Sequence, residues 1–234
     1  IPLRLVGSEM CIRDRSHIVV TPPVPSFPLN PNKADWSVWD FPDVVDHWNF
    51  PGYEGKKMTV SVYSNCEQVE LFLNGESLGK QENTADKKNT LVWEVPYAHG
   101  ILKAVSYNKG GEVGTATLES AGKVEKIRLS ADRTEIVADG NDLSYITLEL
   151  VDSKGIRNQL AEELVEFSIA GDATIEGVGN ANPMSIESFV ANSRKTWRGS
   201  NLLVVRSGKS SGRIIVTAKV KALPVASITI TQKK

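Results

Sequence analysis

The run VELFLNGESLG, Val69–Gly79, decides the fold. Val69, Leu71 and Leu73 alternate with Glu70 and Phe72, a period of two that turns one set of side chains to one face of a strand. Asn74-Gly75 then reverses the chain. A type I′ turn needs φ > 0 at both central positions, and Asn and Gly adopt that conformation at least cost. The stretch predicts a β-hairpin with one buried face.

The same pattern extends outward on both sides. Met58, Val60 and Val62 alternate with Thr59, Ser61 and Tyr63, and predict the strand before the hairpin. Leu91–Val95, Ile101–Tyr107 and Val113–Leu118 predict three strands after it, with a turn at Asn108-Lys-Gly-Gly111. Past Ser120-Ala-Gly-Lys123 a second unit begins. Val124–Leu129, Ile136–Asp142 leading into Tyr145–Val151, Leu164–Ile169, Leu202–Arg206, Arg213–Val220 and Ser227–Thr231 predict about seven strands, the size of an immunoglobulin-like sandwich. No long segment carries a helical period; Asn158–Leu164 suits a single turn.

Residues 16–56 read differently. Thr21-Pro-Pro-Val-Pro-Ser-Phe-Pro28 cannot enter a helix or a central strand, because proline lacks the donor and fixes φ. Trp36, Trp39 and Trp48 follow closely, more apolar area than a free linker carries, so the segment is expected to dock on something and to leave an exposed apolar patch without it. Ile1–Arg15, IPLRLVGSEMCIRDR, is similar to the translated adapter read-through that ends some metagenomic reading frames. It is expected to be a non-native tail, and the chain, which starts with Ile, a piece of a longer protein. The expected organisation is therefore all-β: a tail over 1–15, an irregular Pro/Trp-rich segment over 16–56, and two tandem immunoglobulin-like antiparallel β-sandwiches over 57–121 and 122–234.

Composition narrows the function classes. The formal net charge is −1, without the basic stripe of a nucleic-acid binder. No apolar run approaches the ~20 residues that span a bilayer, and no leader peptide is readable. Two cysteines and three scattered histidines make neither a disulfide framework nor a zinc spacing, so no metal and no cofactor are expected.

Candidate chemistry is sparse. Glycoside hydrolysis needs two carboxyl groups flanking one bond, and Glu70 and Glu94 on neighbouring strands are an imaginable pair, although exposed acids on outer strand faces are the simpler reading. Asp139-Gly-Asn-Asp142 begins like a calcium loop, but Leu150 stands where the last acidic ligand belongs. A turn is expected there. Gly177–Pro183 looks like a phosphate loop without its Lys-Ser/Thr, and reads as an irregular loop with left-handed positions. No catalytic residue is assigned. Trp36, Trp39 and Trp197 are the candidate platforms for stacking a sugar ring, whereas Trp93, inside a strand, belongs to the core.

A family resemblance enters at HWNFPGYEGKKMTVSVYSNCEQVELFLNGESLGK. His47-Trp48-Asn49, Pro51-Gly52, Glu54-Gly55-Lys56, Val62–Asn65 and Val69–Gly79 resemble the region that follows the catalytic barrel in glycoside hydrolase family 2, particularly the bacterial β-galactosidases. Phe50 stands where Trp is commoner. Trp93–Tyr107 resembles the family's W-x-VPY-x-PG-x-LKAVAY, with His99 for the proline and Ile101 for Glu or Lys. Ala138–Pro183 and the run after it, with Glu187, Phe189, Arg198 and Gly199 in place, are similar to the C-terminal immunoglobulin-like domain of the same enzymes. The resemblance covers about residues 33–232 and implies a non-catalytic accessory piece of a retaining β-glycosidase. It further implies that both catalytic glutamates lie in a (β/α)₈ barrel N-terminal to this chain, that the barrel is the partner, and that the parent is periplasmic or secreted and acts on terminal β-galactosides. Two alternatives stand beside it: an array of bacterial immunoglobulin-like adhesin domains, and a stand-alone carbohydrate-binding module.

Overall fold

The computed structural model describes residues 16–25 and 42–234. The tail over 1–15, Trp36 and Trp39 lie outside the described residues. The chain divides into two compact units between Ser120 and Ala121, described here one at a time.

The first unit is a two-sheet sandwich. One sheet has the order β1-β2-β5, from His17–Val20, Lys57–Tyr63 and Thr90–Pro96. The other has the order β4-β3-β6-β7, from Glu76–Glu82, Gln68–Leu73, Ile101–Asn108 and Gly111–Glu119. Alternation does the work expected of it: Met58, Val60 and Val62 on β2, Leu91, Trp93 and Val95 on β5, and Val69 and Leu71 on β3 are all buried in one core. The opening hairpin is β3–β4. Asn74 and Gly75 have φ of 52° and 89°, the left-handed pair that a type I′ turn requires.

Two expectations for residues 16–56 are corrected. His17–Val20 is not irregular. It pairs antiparallel with β2, Ile18 opposite Val62 and Val20 opposite Val60. Three β-branched residues fit a pleated surface, and the prolines that follow stop the strand at the sheet edge. Val45 then exchanges both backbone hydrogen bonds with Val20, at 2.8 Å each. Nor does Trp48 join an exposed patch. It is fully buried, its Nε1 donating to the Ala98 carbonyl at 2.8 Å. Its ring meets Tyr97 edge-on at 5.0 Å and Phe50 at 6.0 Å. The Phe50 N–H donates to the Tyr97 hydroxyl at 3.0 Å, and the Ser120 hydroxyl donates to the Trp48 carbonyl. The motif HWNF therefore plugs this unit's own core.

The second unit is also a two-sheet sandwich. Its sheets have the orders β12-β14-β10-β8 and β13-β11-β15-β16-β9. The strands are β8 Lys126–Ala131, β9 Glu135–Val137, β10 Leu143–Val151, β11 Leu164–Ala170, β12 Ala173–Gly179, β13 Ser193–Lys195, β14 Ser200–Ser207, β15 Gly212–Val220 and β16 Ala226–Lys233. Ile146, Leu148 and Leu150 from β10 face Val165, Phe167, Val216 and Ala218 across a buried core. All the pairings are antiparallel except β9 on β16, which is parallel. Gly177 and Gly179 correct another expectation. They lie in β12, paired with Val204 and Leu202 beyond a bulge after Ile175, while the left-handed residue is Ala181, φ 59°. Glycine-rich sequence there reflects close approach: the Phe189 carbonyl lies 3.3 Å from where a Gly177 Cβ would stand.

Candidate functional site

Of the three sugar-stacking candidates only Trp197 lies among the described residues. It closes a two-residue turn: Arg198 and Gly199 have φ of 50° and 69°, and Trp197 bridges Ser200. Its ring is half-buried, with the Arg198 guanidinium 4.6 Å from the ring centre. One face is thus already taken by a cation.

The carboxylates considered for chemistry are committed elsewhere. Glu70 and Glu94 lie on opposite outer faces of the first sandwich, because Leu71 and Trp93 beside them point inward from different sheets. Glu70 accepts from the Ser77 hydroxyl at 2.6 Å and Glu94 from the Thr59 hydroxyl at 2.7 Å. The pair cannot flank one bond. Asp139 and Asp142 build the expected turn. Asp139 Oδ1 accepts the N–H groups of Asn141 and Asp142 at 2.8 and 2.9 Å. Asp142 accepts from the Val137 N–H at 2.8 Å and from Arg133 at 2.8 Å. These N–H donors hold both carboxyls below the usual range. Among the described residues, no group of three or more His, Cys, Asp or Glu is placed to hold a metal ion, and no helix is long and apolar enough to cross a membrane.

The most specific construction lies in the second unit, around Arg194. Its side chain is fully buried, at a position opposite Val165 in the β13–β11 pairing. A buried charge needs partners, and these come from the loop between β12 and β13, residues 180–192, and from the end of β12 itself. Nη1 donates to the Glu187 carbonyl at 3.1 Å and to the Val178 carbonyl at 3.3 Å, and Nη2 to the Ser185 hydroxyl at 3.1 Å. The Phe189 ring centre lies 4.2 Å from the guanidinium. Glu187 accepts from the Ser185 hydroxyl at 3.0 Å and from the Lys195 N–H at 3.1 Å. Glu187 and Phe189, singled out by the resemblance, are therefore partners of Arg194. Arg194 itself was not singled out: in RKTWRGS it reads as one more surface cation, and only the strand register shows it pointing inward.

A shallow cleft of ≈ 270 Å³ opens beside the loop, lined among others by Asn180, Asn182, Glu187, Lys195 and Thr196. Its amides are spent on the loop itself. Asn180 donates to the Lys195 carbonyl at 2.9 Å and accepts the Asn182 N–H at 3.1 Å, and Asn182 accepts the Met184 N–H at 2.9 Å. These bonds hold the loop's shape along the cleft.

The geometry defines a tandem β-sandwich module whose polar groups mostly serve its own loops. Comparison with known proteins places the module. The family model "Glycoside hydrolase family 2 C-terminal domain 5" matches residues 127–229. A second, "Domain of unknown function (DUF4982)", matches residues 55–114. Beta-galactosidase BoGH2A of Bacteroides ovatus is 32% identical over 203 residues, covering 86% of this chain and 24% of the relative. A beta-glucuronidase of Formosa agariphila is 30% identical over 205 residues, 85% of this chain and 20% of the relative. Among solved structures, a glycosyl hydrolase family 2 member from Bacteroides cellulosilyticus superposes with TM-score 0.92 at 99% identity, over 94% of this chain and 28% of that one. A beta-glycosidase from Bacteroides vulgatus superposes with TM-score 0.76 at 29% identity, over 80% of this chain and 24% of that one. The chain belongs to glycoside hydrolase family 2 and corresponds to its C-terminal β-sandwich domains. It spans about a quarter of the length of these relatives, from 20% to 28%. Both units align with such enzymes in one order, which does not favour the adhesin-array alternative.

Proposed function

We propose that this chain is the non-catalytic C-terminal accessory part of a retaining β-glycosidase. Its partner is the catalytic barrel of the same parent chain, and the parent hydrolyses terminal β-galactosides. The observation that carries this reading is the near-identical family 2 structure, of whose length the match covers 28%. Chemistry supports it: a retaining mechanism needs two carboxyl groups roughly 5–5.5 Å apart, and Glu70 and Glu94, the pair the sequence suggests, face opposite ways. β-Glucuronides are the second substrate class, favoured by the Formosa agariphila relative named for that activity. Trp197, with Trp36 and Trp39, stays the candidate for any direct contact of this module with carbohydrate. Export of the parent to the periplasm or medium belongs to the same proposal.

The test is to read the source gene upstream of residue 16, then assay this protein and its full-length parent on chromogenic β-galactosides and β-glucuronides. The expected result is a barrel with two glutamates, turnover of the galactoside by the parent, and none by the 234-residue protein. An upstream sequence of further sandwich repeats, or turnover by this protein alone, overturns the proposal. Preference for the glucuronide replaces the substrate.

A further inference from the structure

The loop that Arg194 holds from beneath carries a second feature on its outer side. Met184, Ile186, Phe189 and Val190 are 68, 101, 62 and 81% exposed. The loop is tied back at several points. The Val178 N–H donates to the Phe189 carbonyl at 2.7 Å, and the Phe167 N–H to the Asn192 carbonyl at 2.8 Å. Arg194 supplies the bonds described above. Across 180–192 the sequence NANPMSIESFVAN has one charged residue, Glu187, whose carboxylate is already engaged by Ser185 and Lys195. A loop so anchored, yet apolar and almost uncharged at its crest, departs from the usual polar surface loop and marks a contact surface.

We propose that this crest docks on the catalytic barrel of the same parent chain, an inference that rests on the function proposed above. Size selects the occupant. A free partner, including a second copy, needs about 20–30 residues a side for a stable interface, and the crest offers four large side chains. A tethered partner needs far less, because the covalent link holds it at an effective concentration of about millimolar. About three quarters of the length of the relatives lies outside this chain, which is where such a partner resides. The absence of free charge on the loop fits an apolar depression on the barrel better than a solvated or charged ligand.

Methionine oxidation by dilute hydrogen peroxide reads the contact directly, since burial shields the thioether. Met184 is compared between this 234-residue protein and the full-length parent, with Met58, 3% exposed in the core of the first unit, as the internal reference. Met184 is expected to oxidise about tenfold more slowly in the parent. The parent carrying I186D and V190D is expected to return Met184 to the rate of the 234-residue protein while Met58 stays slow. Equal Met184 rates in parent and 234-residue protein overturn the proposal, as does protection that survives the double substitution. Protection that appears in the 234-residue protein as its concentration rises assigns the crest to a second copy and also overturns it. An active parent with unprotected Met184 leaves the glycosidase assignment standing and removes only this inference. A parent without a barrel removes the assignment itself.

Discussion

Gly100→Ala tests the reasoning behind the opening hairpin. Gly100 sits at φ 143°, where an alanine is strained by about 1–3 kcal/mol. A Cβ there would stand 1.8 Å from Asn74 Oδ1, so the Asn74 side chain has to leave. It would abandon two hydrogen bonds, from the Ile101 N–H to Oδ1 at 2.8 Å and from Nδ2 to the His99 carbonyl at 3.2 Å. At about 1 kcal/mol each, the substitution costs about 3–5 kcal/mol in all. Asn74→Gly loses the same two bonds but relieves a left-handed non-glycine residue by about 1 kcal/mol, for a net cost of about 1 kcal/mol. In the double variant the clash and the bonds are removed only once. It should therefore be destabilised by about 2 kcal/mol less than the sum of the single effects. Urea unfolding followed through the buried Trp48 and Trp93 of the same unit measures all four proteins. Strict additivity would refute the coupling of the turn to the β5–β6 connection.

Two further outcomes follow from the second unit. Arg194→Met removes the donors that hold residues 180–192 and leaves the Glu187 and Val178 carbonyls without them. It is expected to destabilise by about 2–6 kcal/mol, about 1–3 for each carbonyl left without its donor, and to raise amide exchange at Phe167 and Val178, whose N–H groups donate to the Asn192 and Phe189 carbonyls, more than in β10; uniform exchange would count against the pinning role. Asp172 accepts the Ser210 and Lys209 N–H groups at 2.8 and 3.0 Å. The backbone and side chain of Ser210, with the Lys209 N–H, hold its carboxyl below the ordinary value of 3.8. A lowered pKa means that the folded state binds fewer protons than the unfolded chain, so this stabilisation is present above pH 3.8 and fades as pH falls below it. Asp172→Asn should lower the urea midpoint at neutral pH and shrink the further drop between neutral pH and pH about 3. An undiminished drop would show that other carboxylates carry the acid sensitivity.

The all-β class and its main strands were legible because burial on one face of a strand imposes a period of two on the chain itself. Val60, Leu71, Trp93, Ile146 and Leu148 are buried where alternation puts them, and Asn74-Gly75 turns because few other pairs accept that backbone. The family, likewise, was legible in VELFLNGESLG and its neighbouring motifs. Other features belong to contacts between segments far apart in sequence. His17–Val20 is too short to show a period and becomes a strand only because the edge of β2 is open to it. Trp48 looks like a residue awaiting a partner domain until the Ala98 carbonyl, Tyr97 and Phe50 close around it. Arg194 looks like surface charge until the β13–β11 register turns it inward beneath the loop. Local pattern records which face of a strand avoids water. Which segment supplies the other wall, and which buried charge finds its partners there, is decided only when the sheets close.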